Sequence, residues 1–179
     1  MKVQGEQKFK TSIHIALDPA AESVRKYFKD DEMGISDYSD NKQESFWENL
    51  GDAIVRKILN DSMLDIKDAE IEISGFDVMD ESLFHTEKEN RVVECEFFLY
   101  GYKGISADYI PATWNEPEEF ETDALSEAAC DNRTRKATEE VLTELFDKQV
   151  CLDAEIYVDT DTEEDYERDD YGYDGHEDY

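Results

Sequence analysis

Three stretches of the chain alternate, residue by residue, between apolar side chains and polar ones rich in carboxylates. Ala69, Ile71 and Ile73 are interleaved with Glu70, Glu72 and Ser74, and Val93, Cys95, Phe97 and Leu99 with Glu94, Glu96, Phe98 and Tyr100. Val150, Leu152, Ala154, Ile156 and Val158 are interleaved with Cys151, Asp153, Glu155 and Tyr157. A period of two belongs to a strand with one dry and one wet face, so each stretch predicts a strand that turns its acids to solvent. The fold must therefore gather acids on faces the core does not use. Composition sharpens this demand: 48 Asp and Glu against 18 Lys and Arg give a formal charge of −30, and charged residues at 37% nearly equal hydrophobic ones at 39%. Such a chain builds a core only when its charges segregate to the outside.

The remaining elements follow from the same reading. Phe9, Thr11, Ile13, Ile15 and Leu17 alternate with Lys10, Ser12, His14 and Ala16, a further half-buried strand. Asp18-Pro19 has the form of an N-cap followed by proline at the first helical position, opening a short helix through Val24, Tyr27 and Phe28. Asp40 to Gln43 has capping-box form. Beyond it, Phe46, Trp47, Leu50, Ile54, Ile58 and Leu59 recur every three or four residues, one buried stripe of a longer helix. Phe76 and Val78 fall out of phase with Ile71 and Ile73, which places a bulge at Gly75. Gly101 to Gly104 predict a turn into a partner strand around Ile105 to Ile110, stopped by Pro111. After a loop or edge segment, a helix is expected from about Ala124 to Lys148, offering Leu125, Ala128, Ala129, Val141, Leu142, Leu145 and Phe146 for burial. The last strand is expected at Val150 to Val158. This order predicts an α+β domain over residues 1–158, a mainly antiparallel sheet with helices packed on one face. Apolar periodicity stops at Val158, so residues 159–179 are expected to form a disordered acidic tail carrying Tyr166, Tyr171, Tyr173 and Tyr179.

The sequence offers little for catalysis. It contains no nucleophile elbow, no phosphate-cradling glycine loop and no dinucleotide fingerprint, so a non-enzymatic protein without a cofactor is expected. "DTDTEED", residues 159–165, opens like a calcium loop, but Glu164 stands where that loop needs glycine. His14, His85 and His176 are scattered, and Cys95, Cys130 and Cys151 have neither disulfide-framework nor zinc spacing, so no metal site is expected. Odd, isolated cysteines suit a reducing setting. The stretch from Met1 to Lys10 has no apolar leader and no run approaches a membrane span, so the expected location is the cytoplasm. Arg133, Arg135 and Lys136 form the only basic cluster in the second half, and are expected to pair with acids of their own helix, Arg135 with Glu139 and Lys136 with Glu140.

The carboxylates themselves form the informative pattern. Eleven acids and one base, Arg168, fall in residues 159–179, leaving 37 acids and 17 bases on residues 1–158. The excess thus belongs to the body as well as the tail. A body this negative repels duplex nucleic acid and anionic membrane and attracts basic surfaces. On a strand, alternate residues of one face lie about 6.7 Å apart, so Glu70/Glu72, Glu94/Glu96 and Asp153/Glu155 would present paired charges at that interval. Helical acids add to them: Glu44, Glu48 and Asp52, then Glu139, Glu140 and Glu144. Regularly spaced negative charge on a rigid support imitates a nucleic-acid backbone, whereas an ordinary solvated face mixes both signs.

In charge and size the chain resembles the small acidic DNA-mimic proteins that phages and mobile elements use against restriction enzymes, CRISPR effectors or polymerases. The resemblance contains no sequence motif and transfers no residue. The tail, ending on Tyr179, is similar to the acidic C-terminal tails of bacterial and phage single-strand DNA-binding proteins. A strand-binding body would need a basic groove with stacking aromatics, for which Phe98, Tyr100, Tyr102 and Tyr109 are the candidates. The expected function is a decoy that occupies the nucleic-acid groove of a basic protein. Its expected contact residues are Glu70, Glu72, Glu94, Glu96, Asp153, Glu155, Asp165, Asp169, Asp170, Tyr171, Tyr173 and Tyr179. The alternatives are a single-strand-binding or replication accessory protein, and an acidic virion or structural protein; a dimer is compatible with each.

Overall fold

The structure, a computed structural model, describes residues 2–18, 21–27, 40–81, 90–115 and 119–167. In chain order these form β1 (Lys2–Leu17), α1 (Glu22–Tyr27), α2 (Asp40–Leu59), β2 (Lys67–Glu81), β3 (Asn90–Ile110), β4 (Glu119–Thr122), α3 (Glu127–Leu145), α4 (Lys148–Asp153) and β5 (Glu155–Glu167). The fold is α+β. Its five-stranded antiparallel sheet runs β2-β3-β1-β5, with β4 pairing the far end of β3. The long helices α2 and α3 cover one face.

Alternation supplies that core. Ile13 sits between Phe97 on β3 and Val158 on β5, and all three are buried. Phe9, Ile15, Leu17, Val93, Cys95 and Leu99 add to the sheet's contribution, and α2 lays Phe46, Trp47, Leu50, Ile54 and Ile58 upon it. Leu59, expected in that stripe, is instead exposed, because it lies one position past Ile58 on a helix that ends there. Gly75 does mark a bulge: the register of β2 on β3 shifts between Ile73 and Gly75. Strand β3 stops at Ile110, just before Pro111.

The expected turn at Gly101 to Gly104 does not occur. Strand β3 runs through it without a break for 21 residues, paired residue by residue with β1. Gly101 is there for space: it faces Phe9, and a Cβ on it would lie 2.3 Å from the Phe9 ring and 2.9 Å from Ile66 Cγ2. At Gly104 a Cβ would meet nothing within 4 Å. Gly101→Val is therefore expected to cost about 1–3 kcal/mol by overpacking, while Gly104→Val is expected to be neutral or slightly stabilising through strand propensity. Urea unfolding of the two variants measures the contrast; equal costs would show that the pair acts through the backbone instead.

The other differences have local causes. Strand β1 begins at Lys2, seven residues before the expected start, because Gln7 takes an inward position that looks polar in sequence. Its amide is satisfied at both ends, Nε2 donating to the Leu125 carbonyl at 2.8 Å and Oε1 accepting from the Leu125 N–H at 3.1 Å. The long helix breaks at Phe146, where Asp147 caps a new turn by accepting from the Val150 N–H at 2.9 Å. Residues 150–153, expected to open the last strand, thus belong to α4, which buries Val150 and leaves Leu152 exposed. Helix α3 buries Cys130, Thr134, Ala137 and Thr138 besides Val141 and Leu142, while Ala128 faces solvent.

The expected boundary at Val158 is also corrected. Residues 159–167 continue β5, pairing from Asp159 opposite Ser12 to Glu167 opposite Gln4. Thr160 is buried, its hydroxyl 3.0 Å from that of Thr11 beneath Cys130. Threonine fills the first inward positions of β5 beyond Val158, where the apolar alternation stops. The helices are tied together by polar contacts as well. Arg133 on α3 donates from Nη1 to both oxygens of Asp61, each at 3.0 Å, and Lys57 on α2 reaches Glu144 at 2.7 Å and Glu140 at 3.2 Å. Burial alone would raise the Asp61 carboxyl, but the Met63 N–H and the Arg133 guanidinium outweigh it and hold the group below its ordinary range.

Candidate functional site

The sheet face opposite the helices carries the pattern sought in the sequence. Because β1, β3 and β5 pair in continuous register, every second residue of each points to this face. Read from β2 across to β5, aligned rows are Asp77, Glu94, Ala16 and Glu155; then Glu72, Phe98, Ser12 and Asp159; then Glu70, Tyr100, Lys10 and Asp161. Acids occupy the two flanks. Along β5 they are Glu155, Asp159, Asp161, Glu163, Asp165 and Glu167, all exposed, interrupted only by Tyr157. On the other flank stand Glu70, Glu72 and Asp77 of β2 with Glu94 and Glu96 of β3. Three strand spacings separate β2 from β5, about 14 Å.

Between the flanks lies a strip of different chemistry. Phe98, Tyr100 and Tyr102 follow one another at alternate positions of β3, the first two edge to face with centroids 6.5 Å apart. Lys10 of β1 lies over the Phe98 ring, 4.0 Å from its centroid, and Lys8 reaches Asp165 at 3.5 Å. His14 Nε2 lies 3.1 Å from Glu94, and the Ser12 hydroxyl donates to Glu96 at 3.2 Å. The inner acids are therefore partly tied to their neighbours, whereas the row on β5 is tied only at Asp165 among the described residues.

Of the residues expected from sequence, Glu70, Glu72, Glu94, Glu96, Glu155 and Asp165 meet on this one face. Asp153 does not: it closes α4, where both its oxygens accept from Gln149 Nε2 at 2.9 Å, so the Asp153/Glu155 strand pair is withdrawn. Asp169, Asp170, Tyr171, Tyr173 and Tyr179 lie outside the described residues. The helical acids Glu140 and Glu144 serve Lys57 rather than an open field. Lys136 stands 4.0 Å from Glu140, as expected, but Arg133 leaves its own helix for Asp61. Tyr109, by parity, belongs to the opposite face of β3 from Phe98, Tyr100 and Tyr102.

The site carboxylates missed on β5 were Asp159, Asp161, Glu163 and Glu167, and Asp77 was missed on β2. For those on β5 the signal was the "DTDTE" alternation of acids with β-branched threonine, a strand period without an apolar phase. In the strand these acids share one face in a line, so residues 159–165 do not wrap as a calcium loop. Among the described residues no three His, Cys, Asp or Glu side chains converge on a point that would hold a metal. Burial raises the thiol pKa of Cys95 and Cys130, so neither is an activated thiolate. No described helix is long and apolar enough to cross a membrane. Comparison of the chain with protein-family models, curated proteins and solved structures finds no match.

Proposed function

We propose that the protein is a non-enzymatic decoy, of the kind phages and mobile elements encode, whose sheet face opposite the described helices occupies the nucleic-acid groove of a basic host protein in the host cytoplasm. The observation that carries this reading is the row of six exposed carboxylates on β5, faced by a second acidic flank on β2 and β3. A charge every 6.7 Å or so along β5 has about half the linear density of one DNA strand, and it is fixed to a hydrogen-bonded sheet. The gap of about 14 Å between flanks is close to the width of a major groove, about 12 Å. A groove evolved to grip two phosphate rows meets two carboxylate rows at comparable separation. Such a field steers association and makes it sensitive to salt.

A pull-down from host lysate at low salt, eluted by a salt gradient with and without competing duplex DNA, tests the reading. A basic nucleic-acid-binding protein should be retained, be displaced by DNA, and elute at lower salt from the quadruple variant Asp159→Asn, Asp161→Asn, Glu163→Gln, Asp165→Asn. Retention indifferent to both DNA and these substitutions would sink it. One observation favours a second reading, single-strand binding: Phe98, Tyr100 and Tyr102 offer alternate rings beside Lys8 and Lys10, and stacking on such a platform contributes about 1–3 kcal/mol per base.

A further inference from the structure

Midway along the sheet face opposite the described helices lies a cleft of about 490 Å³, built by residues 8–10, 100–102 and 161–163 of three adjacent strands. Its side-chain walls are Tyr100 and Tyr102 on one side, Asp161 and Glu163 on the other, and the stems of Lys8 and Lys10 between. The two lysines part around it. In register Lys10 faces Asp161 and Lys8 faces Glu163, yet neither makes that direct pair. Lys10 leans one way to lie over Phe98, 4.0 Å from its centroid and 5.9 Å from that of Tyr100, and Lys8 leans the other way to Asp165. Asp161 and Glu163 are left exposed, about 6.7 Å apart, without a cation within ion-pair distance among the described residues. Opposite them stand two tyrosines.

This combination selects among cations. An ammonium is a compact, strongly hydrated point charge, whereas a guanidinium is planar, stacks on aromatic faces and donates in a fork to carboxylates. A slot with carboxylates on one wall and phenol rings on the other offers both contacts to a guanidinium and only the charge to an ammonium. We propose that the cleft receives an arginine side chain of the basic partner, its face against Tyr102 and its donors on Asp161 and Glu163. The inference rests on the decoy reading for the class of partner and adds the anchor that turns a diffuse field into a specific contact. Buried aromatic and arginine contacts commonly dominate such interfaces.

The test uses two peptides of equal charge, octa-arginine and octa-lysine, titrated calorimetrically into the intact chain at about 0.1 M salt, where exposed charges are screened beyond about 10 Å. Octa-arginine should bind about ten-fold more tightly, the equivalent of 1.4 kcal/mol, within the range of a cation over an aromatic ring. Tyr102→Ala, alone and with Tyr100→Ala, should remove that preference while leaving octa-lysine affinity unchanged. Asp161→Asn with Glu163→Gln should weaken octa-arginine more than Glu155→Gln with Asp159→Asn, which removes the same charge outside the cleft. Salt-sensitive but equal binding of both peptides would overturn the arginine anchor and leave the decoy standing; binding of neither would overturn both. Tight binding of an oligothymidylate that Tyr102→Ala abolishes would overturn the anchor in favour of the single-strand reading.

Discussion

A chain that stops at Val158 is expected to lose cooperative folding, whereas a chain that stops at Glu167 is expected to keep it. Residues 159–167 are not an appendage to the sheet: they form the outer ladder along Gln4 to Ser12 of β1. Removing them uncovers that side of β1, strips Thr11 of its buried hydroxyl partner, and takes away sheet against which α3 packs. A hydrogen bond contributes about 0.5–1.5 kcal/mol net, and a buried group left without its partner costs about 1–3 kcal/mol. Several such losses together are comparable with a total stability of about 5–15 kcal/mol. Urea unfolding followed by far-UV circular dichroism decides the matter. Matching midpoints and slopes for the two truncations would show that the second half of β5 contributes nothing to the fold.

Trp47→Ala is expected to destabilise the protein by about 3–5 kcal/mol. Trp47 is fully buried on α2, edge to face with Phe46 at 4.8 Å and with Phe97 of β3 at 6.2 Å, so its ring joins helix to sheet. No smaller side chain on α2 spans that distance, and the strands beneath are held by their ladders and do not collapse into the void. Trp47→Phe keeps an aromatic in the contact and should cost much less. The readout is the shift in urea midpoint at constant slope; a loss below about 1 kcal/mol for the alanine variant would mean that the helix repacks freely.

The period-two segments were legible because both phases were chemically distinct. Ile13 between His14 and Ser12, or Cys95 between Glu94 and Glu96, leaves only one way to bury the apolar set. Legibility failed where a side chain had two possible meanings. Gly101 was read as a turn because glycine permits one, and only the Phe9 ring opposite shows that the missing Cβ is what matters. Val150 and Leu152 fit a strand by spacing alone, and the choice of helix was made by Asp147, whose carboxylate could cap a turn only once the chain was there to be capped. On β5 beyond Val158 the inward phase passes to Thr160 and Thr162, so the alternation was present but not apolar. The candidate face was legible as a set of acids on β2 and β3. Phe98, Tyr100 and Tyr102 were legible as candidate aromatics, but their meeting with Lys8 and Lys10 was not, because the distance from residue 8 to residue 102 is closed only by register.

Strand β5 has a further property that concerns the protein's conduct toward its own kind. It is an edge strand, and among the described residues no other strand pairs along its outer side. Glu127 of α3 blunts that side at one point, accepting from the Thr162 N–H at 3.3 Å and its hydroxyl at 3.0 Å. Unguarded edges of this length invite strand-to-strand stacking into fibres. Here two copies brought edge to edge would set one acid row against another, and like charges directly opposite are destabilising in a sheet. The same carboxylates proposed to meet a basic partner thus also oppose self-association through this edge.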